Sequence, residues 1–492
     1  MFATRTIVVS LLVGTLVTLA AGLFPAVRAT KVPPIAAVRE GATLPRGRFA
    51  RFTPYIASAT VALAVLALGY ATLVDEMAVG DRFSLLGVGV LALFIGVAML
   101  SSKLVRPLVR AVGIPARRVG GAAGKLADGN SQRNPGRTAA TAAALMIGIA
   151  LVTFVSVLAQ GLRVSNSDAI ERQIQSDLIV TSQDGYSEFP AAVGDAAEEA
   201  EGVDSASNVR QDIAEIDGGA ANLTGLDRQI NDVYDFRWEK GSDELLDRLG
   251  PDGAVLPNNV AEDKDLAVGD FFTVLSTDNR SKSFVVRGIY EGSPFYPLLG
   301  SASISQEAFD DLYDRPRNRF TLLNVSGSQA KTTVERALEG FPDTRIQTRP
   351  EWIEKEDKEI GQFLLLLYVL LALSVIISLF GMVNTLALSV FERTRELGML
   401  RAVGMTRRQT RRMIRHESVI TAAIGAALGL PLGILLAALV TRALGQYELR
   451  FELPYFQLLL LVVVAVIAGI VAAVFPARRA ARLDPLKALQ YE

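Results

Sequence analysis

Long apolar runs separated by basic connections make up most of this chain, and one long acidic stretch of mixed sequence interrupts them. The apolar runs fall at 6–24, 55–74, 83–105, 139–161, 361–390, 417–443 and 455–476. At about 1.5 Å per residue, each can cross a hydrocarbon core of ~30 Å. The run from Ile360 reaches roughly 45 Å, so it is expected to project from the bilayer or tilt. Residues 163–357 lack such runs. There, GDFFTVL and KSFVVRGIYEG (269–292) read as two strands around a TDNRS turn, and TLLNVSG as another strand. SQEAFDDLYD and SQAKTTVERALEGF read as helices with serine near their starts. The pattern predicts an α-helical membrane protein of about seven transmembrane helices with an inserted α+β extracytoplasmic domain.

Charge orients the chain. The formal net charge is only −1, but residues 163–357 hold 38 acidic and 19 basic side chains, while the connections at 25–54, 106–138, 391–416 and after 476 are basic. By the positive-inside rule the basic connections are cytoplasmic and the acidic domain is external. Seven spans, starting outside and ending inside, satisfy this; an even count is expected to break it. Polar stretches on both sides of the domain, VSNSDAIERQIQSD and PEWIEKEDKEIG, are read as outward extensions of the adjoining helices.

Several chemistries are excluded. Without cysteine there are no disulfides or thiolate metal sites, and the single histidine, His416, cannot build a His-based metal site. A Ser-His-Asp set would need His416, which lies on the wrong side of the membrane. Intramembrane charges are almost absent, which disfavours an ion-coupled secondary transporter. GGAAGKL at 120–126 has Val119 in place of the first glycine of a phosphate loop and Leu126 in place of its Ser/Thr. The chain is therefore expected to hydrolyse no ATP, to hold no cofactor or metal, and to bind no nucleic acid.

An internal repeat bears on domain organisation. FPAVRATKVPPIAAVR at 24–39 aligns without gaps with FPARRAARLDPLKALQ at 475–490. Residues 1–40 are accordingly read as the last helix and tail of a truncated first repeat. Residues 41–138 are a linker region with two spans, and 139–161 the first helix of a second repeat. The external domain occupies 162–359, and 360–492 carry three more spans. Gly425, Gly429 and Gly433 share one face of the span at 417–443, where helices can approach closely, within one chain or between two. Pro431 among them is expected to kink that helix.

Between two of these spans lies an arginine-rich stretch with Leu397, Leu400 and Val403 or Gly404 at helical spacing. Spacing alone fits either an anchor in the lipid headgroups or a docking surface. The segment ERTRELGMLRAVGMTRRQ at 392–409 closely resembles the coupling segment of FtsX-like, MacB-type ABC transporter permeases. The strands, GD turn and ISQEAFDDLY of the external domain are similar to that family's extracytoplasmic domain. The resemblance implies a permease subunit whose coupling segment inserts into a separate ABC ATPase that carries ATP and magnesium. It implies contact residues Glu392, Arg393, Arg395, Glu396, Leu397, Leu400, Arg401 and Gly404, with the two leucines contributing most burial and Glu392 bracing Arg395. It also implies another permease half or a homodimer, contact with membrane lipids, and export or extraction of a cargo by movement of the external domain. The alternative is an FtsX-like regulatory permease that activates an extracytoplasmic enzyme without moving cargo. A third reading is a receptor without an ATPase.

Overall fold

The computed structural model describes residues 4–30, 52–74, 79–133, 135–185, 187–293, 298–445 and 448–484. The repeat lies partly outside them, since 31–39 and 485–490 are not described, and so does most of the linker at 41–54. Among the described helices, six are long and apolar enough to cross a membrane. They are α2 (Thr53–Leu73), α3 (Val79–Val119), α5 (Pro135–Gln173), α12 (Arg349–Glu392), α14 (Arg407–Ala443) and α15 (Tyr455–Ala481). The expected seventh, α1 (Thr4–Thr30), is helical, but its described apolar stretch is only Val8–Ala20. The parity expectation also needs correcting. Without α1, six spans that begin and end inside still leave every basic connection cytoplasmic, so charge does not demand the seventh.

Three features differ from ordinary membrane spans. Helix α3 continues past the apolar run, through Pro107 and Pro115, to Val119. It reverses at Gly120 and Gly121, the latter with φ +58°, into α4 (Gly121–Arg133). The supposed cytoplasmic linker is thus a helical hairpin. Helices α5 and α12, of 39 and 44 residues, run on into the external domain. At 1.5 Å per residue α12 is about 66 Å long, roughly twice the hydrocarbon thickness. Helix α14 passes Pro431 as a single helix.

The glycine stripe packs α14 against α5 within the chain. A Cβ on Gly425 would lie 3.1 Å from the Ala142 carbonyl oxygen, on Gly429 2.8 Å from that of Met146, and on Gly433 2.5 Å from that of Ala150. Each glycine meets the next turn of α5, so the two backbones run in contact for three turns. Helix α15 repeats the device once: Ser418 Oγ donates to the Gly469 carbonyl at 2.6 Å. The α2–α3 hairpin leans on the other side of α14 and α5 through Leu68, Leu86, Leu93, Leu432 and Leu436. At its outer end the buried Arg82 donates to the carbonyls of Val74 (2.9 Å) and Ala443 (3.5 Å). A cation there satisfies the free carbonyl ends of α2 and α14 together.

The external domain is a mixed sheet of eleven strands in two lobes. Strands β1 (Leu178–Ser182), β2 (Phe189–Pro190), β10 (Arg317–Val325), β11 (Thr344–Thr348) and the first half of β3 (Val203–Ile216) form the lobe nearest the stalk. The rest of β3 joins β4 (Gly219–Leu226), β9 (Ala302–Ser305), β6 (Gly253–Pro257), β8 (Ser281–Tyr290) and β7 (Phe271–Ser276) in a ring that closes back on β3. Phe272, Phe284, Ile304 and Phe309 fill it. β5 (Trp238–Lys240) adds an edge to β8. The β7–β8 hairpin and β10 match the sequence reading. So does the serine cap at Ser305, which accepts from Ala308 N–H at 3.3 Å, before helix Gln306–Leu312. Helix Ala330–Ala337 instead starts at Gln329 without a side-chain cap.

Both long helices enter this domain without a linker. Helix α5 ends at Gln173, four residues before β1, and β11 passes directly into α12. Thr348 accepts from Glu351 N–H at 3.3 Å while the Glu351 carboxylate accepts from Thr348 N–H at 2.8 Å, closing a capping box. One residue on, Trp352 is fully buried against Phe320, ring centres 5.3 Å apart, in the core that also takes Ile170 of α5 and Ile174 just beyond its end. The two helices are therefore part of the domain's own core.

Gly433→Leu tests the tight α5–α14 seam. The side chain has no room beside Ala150 and Thr153, so the seam must part, at a cost of about 1–3 kcal/mol. A lowered melting temperature of the detergent-solubilised chain is the expected readout, with an exposed change such as Leu435→Ala as control.

Candidate functional site

The expected coupling segment folds as a short helix, α13 (Thr394–Ala402), set between the inner ends of α12 and α14. The break from α12 falls at Arg393, whose guanidinium holds three helices together. It donates to Glu396 on α13 at 2.8 and 3.3 Å and lies 3.5 Å from the Glu417 carboxylate on α14. The bond from Arg393 holds the Glu396 carboxyl below its ordinary value. Arg393–Glu396 thus braces the start of α13.

The turn after α13 is built by glycine. Gly404 has φ +115°, which a side chain disfavours, and its N–H donates to Arg401 while Met405 N–H reaches back to Leu400. Thr406 then opens α14 with a second capping box, accepting from Gln409 N–H at 3.3 Å. Arg401 donates to the Leu483 carbonyl beyond the end of α15, and Arg479 sits 4.0 Å over the Phe391 ring. The segment is therefore locked to α12, α14 and α15 together.

Leu397 departs from expectation. Two percent exposed, it packs inward among Val105, Ala127, Val390, Met413 and Ala477. Leu400 is half-buried. The apolar side chains that α13 and its turn present outward are Met399, 48% exposed, and Val403, 89% exposed. Arg395 on α13 and Arg407, Arg408, Arg411 and Arg412 in the first turns of α14 are exposed as well. Helical spacing alone could not separate the inward leucine from the outward valine, because both lie on an amphipathic pattern. What decides between them is the crevice between the ends of α12 and α14, where Leu397 meets Val390, Met413 and Ile414. The α3–α4 hairpin packs beside it. It covers the foot of α14, with Asp128 buried beside Arg117 at 3.6 Å and Asn130 on Met413. His416 faces the hairpin's turn at Gly120 and is no part of a catalytic set. Among the described residues no group of acidic or histidine side chains is placed to hold a metal.

Comparison with known proteins places these parts. The MacB-like periplasmic core domain matches residues 138–340 and the FtsX-like permease C-terminal domain matches 368–485. The chain carries the two domains of a MacB/FtsX-like ABC permease. It is a multi-pass membrane protein with its MacB-like domain outside the cytoplasm. An uncharacterized ABC transporter permease protein of Mycobacterium tuberculosis is 23% identical over 415 residues, 81% of this chain and 47% of that protein. The macrolide export ATP-binding/permease protein MacB 2 of Aeromonas hydrophila is 28% identical over 197 residues, 40% of this chain and 30% of its own length. The chain thus spans less than half the length of these curated relatives. A crystal structure of the periplasmic region of MacB from Actinobacillus actinomycetemcomitans covers 38% of this chain and 95% of its own, at TM-score 0.29 and 12% identity. The α2–α3–α4 portion lies outside both matched domains.

Paired substitutions separate the inward from the outward side chain. Leu397→Asp puts a carboxylate into an apolar core and is expected to cost on the order of 3 kcal/mol. Val403→Asp changes an exposed turn and should leave the melting temperature within error. Equal melting temperatures for the two variants would mean that Leu397 does not face the core.

Proposed function

We propose that this chain is the membrane subunit of an ATP-driven transporter of the MacB/lipoprotein-releasing type, in which the external domain is moved to export or extract a cargo. ATP and magnesium act on an ABC ATPase, and α13 with its turn takes up the ATPase's motion. Met399, Val403 and the exposed arginines make the contact; Leu397, Arg393 and Gly404 hold the contact surface in shape. A second permease half, or a second copy of the chain, completes the unit, and α1 serves as a seventh span at its edge.

The observation that carries this reading is the unbroken run of α12 from the arginine brace at the inner face to Trp352 in the core of the MacB-like domain. A helix transmits displacement along its axis, and the domain has no linker in which to lose it. The work is then done on the outer side, with no substrate path between the helices.

The test breaks the rod outside the membrane. Four glycines inserted after Glu359 interrupt α12 in its exposed stalk and leave both folded ends intact. ATPase binding and hydrolysis are expected to persist while cargo release or resistance is lost; Val403→Asp should instead lose ATPase binding. If the glycine variant retains both hydrolysis and output, the stalk carries no force and the reading fails.

A further inference from the structure

The outer connection between α14 and α15 is tied to the stalk by a polar contact that neither matched domain nor the proposed stroke accounts for. Ser165 on α5 makes two bonds with it. Its hydroxyl donates to the Glu448 carbonyl at 3.1 Å and accepts from Arg450 N–H at 2.8 Å. Two ion pairs flank them: Arg172 with the Glu448 carboxylate at 3.4 Å, and Asp168 with Arg450. Ser165, Asp168 and Arg172 are spaced three and four apart, so they form one face of α5. One turn nearer the membrane, Gly161 lets the connection touch the helix, because a Cβ there would lie 2.2 Å from the Arg450 carbonyl oxygen. Glu448 itself adopts φ +54°, a conformation unusual for a side-chain-bearing residue.

The contact also reaches the domain. Arg172 and Glu448 line a small cleft together with Asp235, Arg237 and Glu291 of the external domain, and Arg237 pairs with Glu291 at 3.6 Å. Stalk, outer connection and domain thus meet at one charged junction. Each ion pair is partly exposed and alone contributes little. Four contacts on one helix face, two of them to backbone, fix the connection in a single register.

We propose that this junction is a latch: residues 448–450 hold α5 so that the external domain is positioned by the α14–α15 hairpin as well as by its own two helices. Helix α14 starts at the coupling turn, so the latch adds a second rigid route from the inner face to the domain. Arg172, Glu448, Asp168, Arg450 and Ser165 act as positioning residues.

The chain has no cysteine, so two introduced ones take spin labels uniquely. Tyr455→Cys at the start of α15 and Val268→Cys on the domain are both exposed sites. Their distance distribution is measured in lipid nanodiscs on the full chain. A narrow peak is expected for the otherwise native chain, its loss in Arg172→Glu and in Glu448→Arg, and its return in the combined charge swap. Ser165→Ala, which removes only the two hydrogen bonds, should broaden the peak without disturbing the fold. Single reversals and Ser165→Ala that keep the narrow peak, or a swap as broad as the single reversals, would overturn the latch. No ATPase enters this measurement, so its outcome bears on the latch and is separate from the coupling reading.

Discussion

A helix bends sharply only where its backbone hydrogen bonds are interrupted, and this chain sends two long helices uninterrupted from the inner membrane region into the core of a folded external domain. That continuity organises everything else. It holds because each helix is part of the domain before it is part of the membrane: Ile170 in the last turn of α5 and Ile174 just after it enter the same core that buries Trp352 of α12. β1 and β11, which continue the two helices, are neighbours in one antiparallel ladder. Arg349 then ties the junction by donating to the Ile174 carbonyl at 2.9 Å. A domain joined in this way cannot rotate freely on its stalk.

The inner end is built on the same logic. Arg393 breaks α12 from α13 but joins three helices through its fork, and Arg401 reaches the end of α15. Gly404 supplies the one backbone conformation that lets α13 turn back into α14. The glycine seam then presses α14 onto α5 through the membrane. Displacement of the α13–α14 turn has short, stiff routes to the outside, and few places where side-chain rearrangement could absorb it.

The sequence displayed the membrane helices, their direction and the family-like motif at 392–409, because apolar length, arginine placement and a long ungapped motif are local signals. The β7–β8 hairpin and the cap at Ser305 were legible for the same reason. Tertiary facts were not. Nothing in the spacing of Leu397 tells whether its neighbour is a partner protein or the chain's own α14, since the turn at Gly404 that brings Met413 and Ile414 back onto it is a tertiary fact. In sequence the α3–α4 hairpin reads as a linker because glycine-rich, basic sequence around Gly120 and Gly121 is weak in helix propensity; packing on the foot of α14 overrides it. The glycine stripe was visible as a close-packing face, but only the structure assigns it to α5. The outer latch gave no signal, because Ser165, Glu448 and Arg450 are ordinary surface residues until the fold brings them together.

The central claim is that the stalk is helical and rigid across the gap between membrane and domain. Hydrogen exchange on the full chain in nanodiscs reads this directly at residues 353–362 of α12 and 162–169 of α5. Protection at these amides comparable to that of the buried strands β1 and β10 is the expected result. Exchange there as fast as in exposed loops would mean that the stalk melts where it must stay stiff, and would contradict the account.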